Sequence, residues 1–488
     1  MKDYQKIIGL TAVSLALGLS PTPVRANNIG LDPSLQNKFS VREFATGLNF
    51  PNGIAQLNDG SLVVGTTNGN SFFDSNAKGQ LVRLQDNGSG VATKTILYDG
   101  TLANKNLPGG ITAISTVNDY LFVTGGQGNS RNISVFQTGA DLGANSLTLK
   151  GALDFSFPNN YIHSTYSQAV RQTGAGQFDL YFNIGGATNN TATPMPSGVT
   201  VSSAGFNLPS TQLNGDALYK IPFSIDPQLN FGQPVQVGTG LRNAAALAFD
   251  PADNLYIGDN GIDGLPPAPA NNATTTDALY RLTPAQLASG TVYNFGFPNS
   301  GAKAGSPGVF VDGNGSIVTK DPSALDALAY FQPIPDPTTG FKSQGVDAIA
   351  PAPTTFPTGF NNGAFVAFFG RFNAAPGLDS LNPVLYYDAQ TGQYQNFLST
   401  NQGGDYGHFT SLLSTQNSLF AVDIASSGFL FNSSGLGSGT IYQISAAQTV
   451  PEPSNLLGIG IAIGAGVYLK RKTKLARRSI ECYAESGS

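Results

Sequence analysis

The chain has 488 residues, with 25 Lys and Arg against 30 Asp and Glu, and only 11% of its residues are charged, well under the roughly 25% of an ordinary soluble domain. Its 40% hydrophobic content suffices for a core, while 59 Gly and 30 Pro argue against a helical protein and for many short strands joined by turns. Residues 27–449 hold 16 cations against 26 acids with no basic stripe, which excludes nucleic acid as a partner.

Lys2 and Lys6 precede an apolar run from Ile7 to Leu19, and Val24-Arg25-Ala26 suits a cut after Ala26. The run is too short to span a bilayer comfortably. Residues 1–26 therefore read as a secretory signal peptide, and the remainder as exported.

Six strand-like runs then recur, at residues 61–64, 120–123, 179–182, 254–257, 364–367 and 418–421. Most follow a polar turn such as Asn58-Asp59-Gly60, whose residues supply the positive φ of a tight hairpin. Each run is followed by a second alternating strand, at 80–84, 132–136, 217–221, 278–282, 384–387 and 440–444. Six inner strands with six outer partners, linked by Gly-rich segments, predict an all-β chain and a six-bladed β-propeller over 27–449. The fourth repeat is stretched, with its excess between about 261 and 345, read as elaborated loops on one face. Residues 284–287 are a short helix candidate.

Polar residues of irregular connections are the candidates for chemistry. His163 follows Asn159-Asn160-Tyr161-Ile162, Arg242-Asn243 precedes the fourth run, and Asp259-Asn260-Gly261-Ile262 follows it. Gly240-Leu241-Arg242-Asn243, Asp277-Ala278-Leu279-Tyr280 and Tyr293-Asn294-Phe295-Gly296-Phe297-Pro298 together resemble the glucose/sorbosone dehydrogenases, soluble quinoproteins on a six-bladed propeller. The resemblance implies pyrroloquinoline quinone held with Ca²⁺ over the channel mouth. It implies His163 as the base in oxidation of a sugar or alcohol, its free pKa already lying near the working pH. It makes Arg242 and Asn243 the cofactor contacts, the guanidinium forking onto a quinone carboxylate, and the carbonyls of Gly261 and Ile262 the Ca²⁺ ligands. The chain departs from the family pattern at Ile162, at Asn106-Leu107-Pro108-Gly109-Gly110, at the alanines 244–246 and at Phe297. Those departures leave a second function open, a non-catalytic surface or matrix propeller that binds carbohydrate or protein. His408 reads as structural, and Asp312-Gly313-Asn314-Gly315-Ser316 as a turn, since position twelve of a Ca²⁺ loop is Ser323.

The C-terminus has three parts in order. Val450-Pro451-Glu452-Pro453 leads into an uncharged apolar stretch to Leu469, then a basic cluster from Lys470 to Arg478. Residues 450–478 resemble the PEP-CTERM sorting signal of bacterial surface proteins; a plain membrane anchor is the alternative. The resemblance implies an exosortase-type sorting peptidase as partner, transient anchoring of the apolar helix in the inner membrane, and release to the periplasm, cell surface or medium. The lone Cys482 lies in the tail 479–488, so no disulfide forms within one chain.

Overall fold

A computed structural model describes residues 29–447, apart from 89, 165–166, 227, 265–272, 337–339, 343, 371–383, 401–407 and 428–429. The signal peptide, the sorting segment 450–478 and the tail lie outside the described residues. Among those described, no helix is long and apolar enough to cross a membrane.

The fold is all-β, as expected, and its strands gather into six principal antiparallel sheets. Sheet I runs through Asn52–Gln56, Leu62–Asn68, Lys78–Gln85 and Thr93–Asp99. Sheet II runs through Ala113–Val117, Tyr120–Gln127, Ser130–Gln137 and Thr148–Ser156, and two further strands extend its outer edge. Sheet III holds Gln168–Gly174, Gln177–Ile184, Ala217–Ser224 and Val235–Thr239. Sheet IV holds Ala246–Phe249, Leu255–Asp259, Asp277–Leu282 and Ala329–Phe331. Sheet V holds Val346–Pro351, Gly363–Phe368, Val384–Asp388 and Tyr394–Thr400. Sheet VI holds Phe409–Ser414, Ser418–Asp423 and Gly439–Ala446, and Phe39–Leu48 from near the N-terminus supplies its fourth strand.

The twelve runs read from the sequence are thus the second and third strands of each sheet, not its inner and outer members. The first strands were missed because polar residues such as Asn52, Ser115 and Gln168 interrupt their apolar pattern. Each first strand packs against the first strands of the sheets before and after it, and that of sheet VI against that of sheet I. Hairpins joining first to second strands turn at Gly60, Asn118, Gly176 and Asp253, with φ of +82°, +48°, +65° and +61°, conformations that Gly, Asn and Asp tolerate best.

Successive side chains of a strand point to opposite faces, and here both faces are covered. On the second strands, Val63 faces the cluster between sheets I and II, and Val64 the one between I and VI. Leu180 and Tyr181 divide in the same way between the clusters either side of sheet III, as do Phe365 and Val366 about sheet V. This double burial explains why these runs are apolar almost throughout.

The stretch 261–345 includes the third strand of sheet IV, read from the sequence at 278–282. The rest holds the helix Pro284–Ala288, started by a capping box between Thr283 and Gln286. It also holds a small sheet of Gly301–Ala302, Phe310–Val311 and Ile317–Val318, and the hairpin Ile334–Asp336 with Gly340–Lys342.

Phe39 joins the N-terminal strand to sheet V. Its ring meets those of Phe356, Phe360 and Phe397 edge-on at 5.0, 5.3 and 5.0 Å. Phe39→Ala should cost about 3–5 kcal/mol, read as a lower denaturation midpoint. An unchanged midpoint would mean that this strand is dispensable.

Candidate functional site

His163 and Arg242 lie in the segments leading into the first strands of sheets III and IV, while Gly261 and Ile262 follow the second strand of sheet IV. All four therefore occupy one end of the sheets. Gly185 and Gly186, just past the second strand of sheet III, sit between the His and the Arg. The Gly186 carbonyl accepts both the His163 backbone N–H at 3.1 Å and the ring Nδ1–H at 3.1 Å. The Gly186 N–H donates to the Arg242 carbonyl at 2.7 Å. A Cβ on Gly185 would lie 2.7 Å from the His163 Cβ and 2.8 Å from the Arg242 oxygen, so only Gly fits. Tyr161 secures the same turn by donating to the Gly185 carbonyl at 2.7 Å.

A carbonyl can only accept, so Nδ1 of His163 carries the proton and Nε2 keeps a lone pair. The residue is 7% exposed. Burial first, then the Arg242 charge, push its pKa down to about 3. The imidazole is neutral at working pH, but a much weaker base than the expectation of a near-neutral pKa required.

Arg242 is spent inside the protein. Its Nε donates to the Asn189 carbonyl at 2.9 Å, and one terminal nitrogen to the Asn260 carbonyl at 3.4 Å. The other terminal nitrogen meets Asn189 Oδ1 and pairs with Asp263 at 3.0 Å. Asp259 accepts the backbone N–H groups of Arg242 at 3.2 Å and Asn243 at 2.7 Å. Asp277 accepts that of Gly261 at 2.9 Å and, from the next sheet, that of Gly345 at 3.0 Å. Burial is the main cause that raises Asp259 to about 7 and Asp277 to about 6. The Asn243 side chain keeps a buried Oδ1 with no partner among the described residues.

Gly261 and Ile262 form the next turn. A Cβ on Gly261 would lie 2.5 Å and 2.6 Å from the carbonyl oxygens of Thr275 and Thr276. The Ile262 carbonyl accepts the amides of Thr274 at 2.7 Å and Thr275 at 3.0 Å. Both of its lone pairs are therefore engaged.

Sequence reasoning did not anticipate Asn189, Asp263 or Gly186. The Gly185-Gly186 doublet opening an Asn- and Thr-rich loop was their available signal. His408 stacks on Phe369 with ring centroids 4.5 Å apart, its Nδ1 lies 2.6 Å from the Phe369 carbonyl, and its N–H reaches Asp423 at 3.2 Å. Asp312 accepts the amides of Asn314 and Ser316, both at 2.9 Å, which is a turn. Among the described residues no three His, Cys, Asp or Glu side chains gather as a metal group.

No family model matches the chain, and no curated protein does. Solved structures do match. The aldose sugar dehydrogenase of Streptomyces coelicolor in its PQQ-bound form superposes with a TM-score of 0.50 at 16% identity, over 84% of this chain and 99% of the other. A calcium structure of an AA12-family carbohydrate-active enzyme from Trichoderma reesei gives 0.54 at 14% identity, over 86% and 97%. A glucose dehydrogenase gives 0.51 at 12% identity, over 84% and 100%. The chain shares their fold.

The residues at this end do not fit the quinone and its Ca²⁺ in the way the sequence resemblance implies. Four of the five guanidinium N–H groups of Arg242 are committed to protein oxygens, and Asp263 neutralises its charge. A carboxylate-bearing quinone would have to displace those bonds and would meet Asp259 and Asp277 nearby. The Ile262 carbonyl would have to give up two amides to ligate a metal.

Two outcomes follow. Gly185→Ala should lower stability by about 1–3 kcal/mol, as overpacking does, visible as a lower melting temperature. The pH dependence has a definite sign. Asp259, Asp277 and Asp423, the last also raised to about 7 mainly by burial, hold protons in the folded state that the unfolded chain releases near pH 4. Their contribution to stability therefore falls as pH rises from about 4 through 7. His163, lowered to about 3, acts oppositely below about pH 6.5, but three carboxyls outweigh one imidazole. The melting temperature should be higher at pH 5.5 than at pH 8; a flat or inverted profile would contradict these burials.

Proposed function

We propose that residues 27–449 are an exported six-bladed β-propeller that binds carbohydrate at its loop end without quinone chemistry. The observation that carries this reading is the commitment of the Arg242 guanidinium to Asn189, Asn260 and Asp263. The six sheets act as blades, with sheet VI built from both ends of the described chain. Carbohydrate is favoured by two aromatic rings on the same end. Phe73 and Phe431, from the connections after the second strands of sheets I and VI, stack with centroids 5.2 Å apart and remain 36% and 49% exposed. Exposed rings of this size are a candidate contact surface, and the C–H face of a pyranose is apolar enough to lie on one. Asn70, three residues before Phe73, and Asn432, next to Phe431, offer amide N–H groups for hydroxyls, while the Asn432 side-chain oxygen caps Ser434 at 2.9 Å.

The segment 450–478 would hold the chain in the inner membrane until an exosortase-type peptidase cuts near Pro451-Glu452-Pro453. Delivery would then be to the periplasm, the surface or the medium.

A second reading is favoured by one observation, the Nε2 lone pair of His163 beside Arg242. In that reading the protein oxidises a sugar or alcohol with pyrroloquinoline quinone and Ca²⁺, and His163 takes the hydroxyl proton.

One preparation separates the two. The expected result is no saturable quinone binding at micromolar concentrations with Ca²⁺ present, and no dye reduction across a panel of sugars and alcohols. Retention on a polysaccharide array should fall at least tenfold in F73A/F431A. Saturable dye reduction abolished by His163→Ala would overturn the binding reading in favour of the dehydrogenase.

A further inference from the structure

The first strands of sheets V, VI and I share an irregularity that the functional reading does not use. In each, the register with the second strand slips by one residue near the start of the strand. The slips lie between Val346 and Ala348, between Phe409 and Ser411, and between Asn52 and Ile54. The extra residues are Asp347, Thr410 and Gly53. A bulge leaves its extra residue out of the ladder and re-aims its side chain.

In sheet V the neighbours of Asp347 are all claimed by the core. Val346 and Ile349 enter the cluster shared with sheet IV, and Ala348 and Ala350 the one shared with sheet VI. Asp347 belongs to neither. Its strand is hydrogen-bonded on one side only, to Gly363–Phe368, and its other edge meets the first strands of the neighbouring sheets. The carboxylate has no hydrogen-bond or ion-pair partner among the described residues, and it is the only carboxylate on the first strands described. Burial pushes its pKa up to about 8, although its side chain is only half-buried from water. Enclosure by protein together with contact to a water-sized space is what a residue lining an internal channel shows. Arg171, the one cation on these strands, lies three residues further along its own strand and pairs with Asp179 at 3.5 Å.

Near the starts of other first strands, further polar atoms are left over. Thr410 and Gln168 are each 4% exposed, yet among the described residues Thr410 Oγ1 and Gln168 Oε1 have no partner. Thr112 Oγ1, just before the first strand of sheet II, is orphaned as well. Buried polar atoms without partners are rare in native proteins and indicate a bound water or ion. One carboxylate among neutral hydroxyl and amide oxygens is a donor set for a hard cation.

We propose that the space ringed by the first strands holds one hard cation of the calcium class. Asp347 and Thr410, on touching strands, ligate it directly, and Gln168 and Thr112 reach it through ordered water. This site is separate from the Gly261–Ile262 turn, and it stands whether the protein binds carbohydrate or oxidises it.

The test is metal content and thermal melting of the exported protein, native and Asp347→Asn. After chelation and desalting, Ca²⁺ should restore about one equivalent by elemental analysis and raise the melting temperature. D347N should hold none and show no Ca²⁺-dependent shift. Relief of a buried charge could stabilise D347N by itself, so Thr410→Val, which keeps the carboxylate, serves as the second variant and should weaken Ca²⁺ at least tenfold. A monovalent cation acting in place of Ca²⁺, equal metal content in native protein and D347N, or no metal in the native protein would each overturn the proposal. Water alone fills the space in the last case.

Discussion

The fold depends on side chains that satisfy backbone groups across the seams between sheets. A chain that leaves the outer strand of one sheet to start the first strand of the next must pass through irregular backbone, whose N–H groups find no ladder there. The neighbouring sheet provides the partner. The Gly110 amide donates to Thr67 between sheets I and II at 3.0 Å, and the Leu247 amide to Ser167 between III and IV at 2.9 Å. The Gly345 amide donates to Asp277 between IV and V at 3.0 Å, and the Gly53 amide to Ser411 between VI and I at 2.8 Å. Gln168 reaches the Phe122 carbonyl between II and III, and His408 the Phe369 carbonyl between V and VI. Each bond contributes only about 1 kcal/mol net, but leaving its buried group unpaired would cost about 1–3 kcal/mol.

The same requirement decides what the loop end can do. Arg242, Asp259, Asp263 and Asp277 have the residue types of a catalytic centre, and sequence spacing brings them together. Their donors and acceptors are used to hold loops: Asp259 clamps the lead-in to sheet IV, Asp277 clamps that to sheet V, and Arg242 ties Asn189 to Asp263. A group engaged in this way is rigid, and its protonation answers to burial rather than to a substrate. His163 shows the consequence, since the packing that orients its ring through Gly186 also removes most of its basicity.

Much of this was legible in advance, for a physical reason. Second and third strands are buried on both faces, so they appear as unbroken apolar runs, and their hairpins need Gly, Asn or Asp at positive φ; the sixfold count followed from both. The capping box at Thr283 and Gln286 made the short helix readable. First strands were not legible, because polar residues that serve the seams interrupt them. The fourth strand of sheet VI was hidden for another reason: Phe39–Leu48 lies about 390 residues before its partner Gly439–Ala446, and no local pattern encodes such a pairing.

The sequence by itself determined the all-β class, the sixfold repeat, the acidic body between two terminal segments, and the candidates His163, Arg242, Asn243, Gly261 and Ile262. Local periodicity, turn chemistry and charge are properties of neighbouring residues, so they are written in the order of the chain. Only the tertiary structure decided whether those candidates are available. Availability depends on what each polar atom already touches, and Asn189, Asp263, Thr274 and Gly186 reach their partners through space.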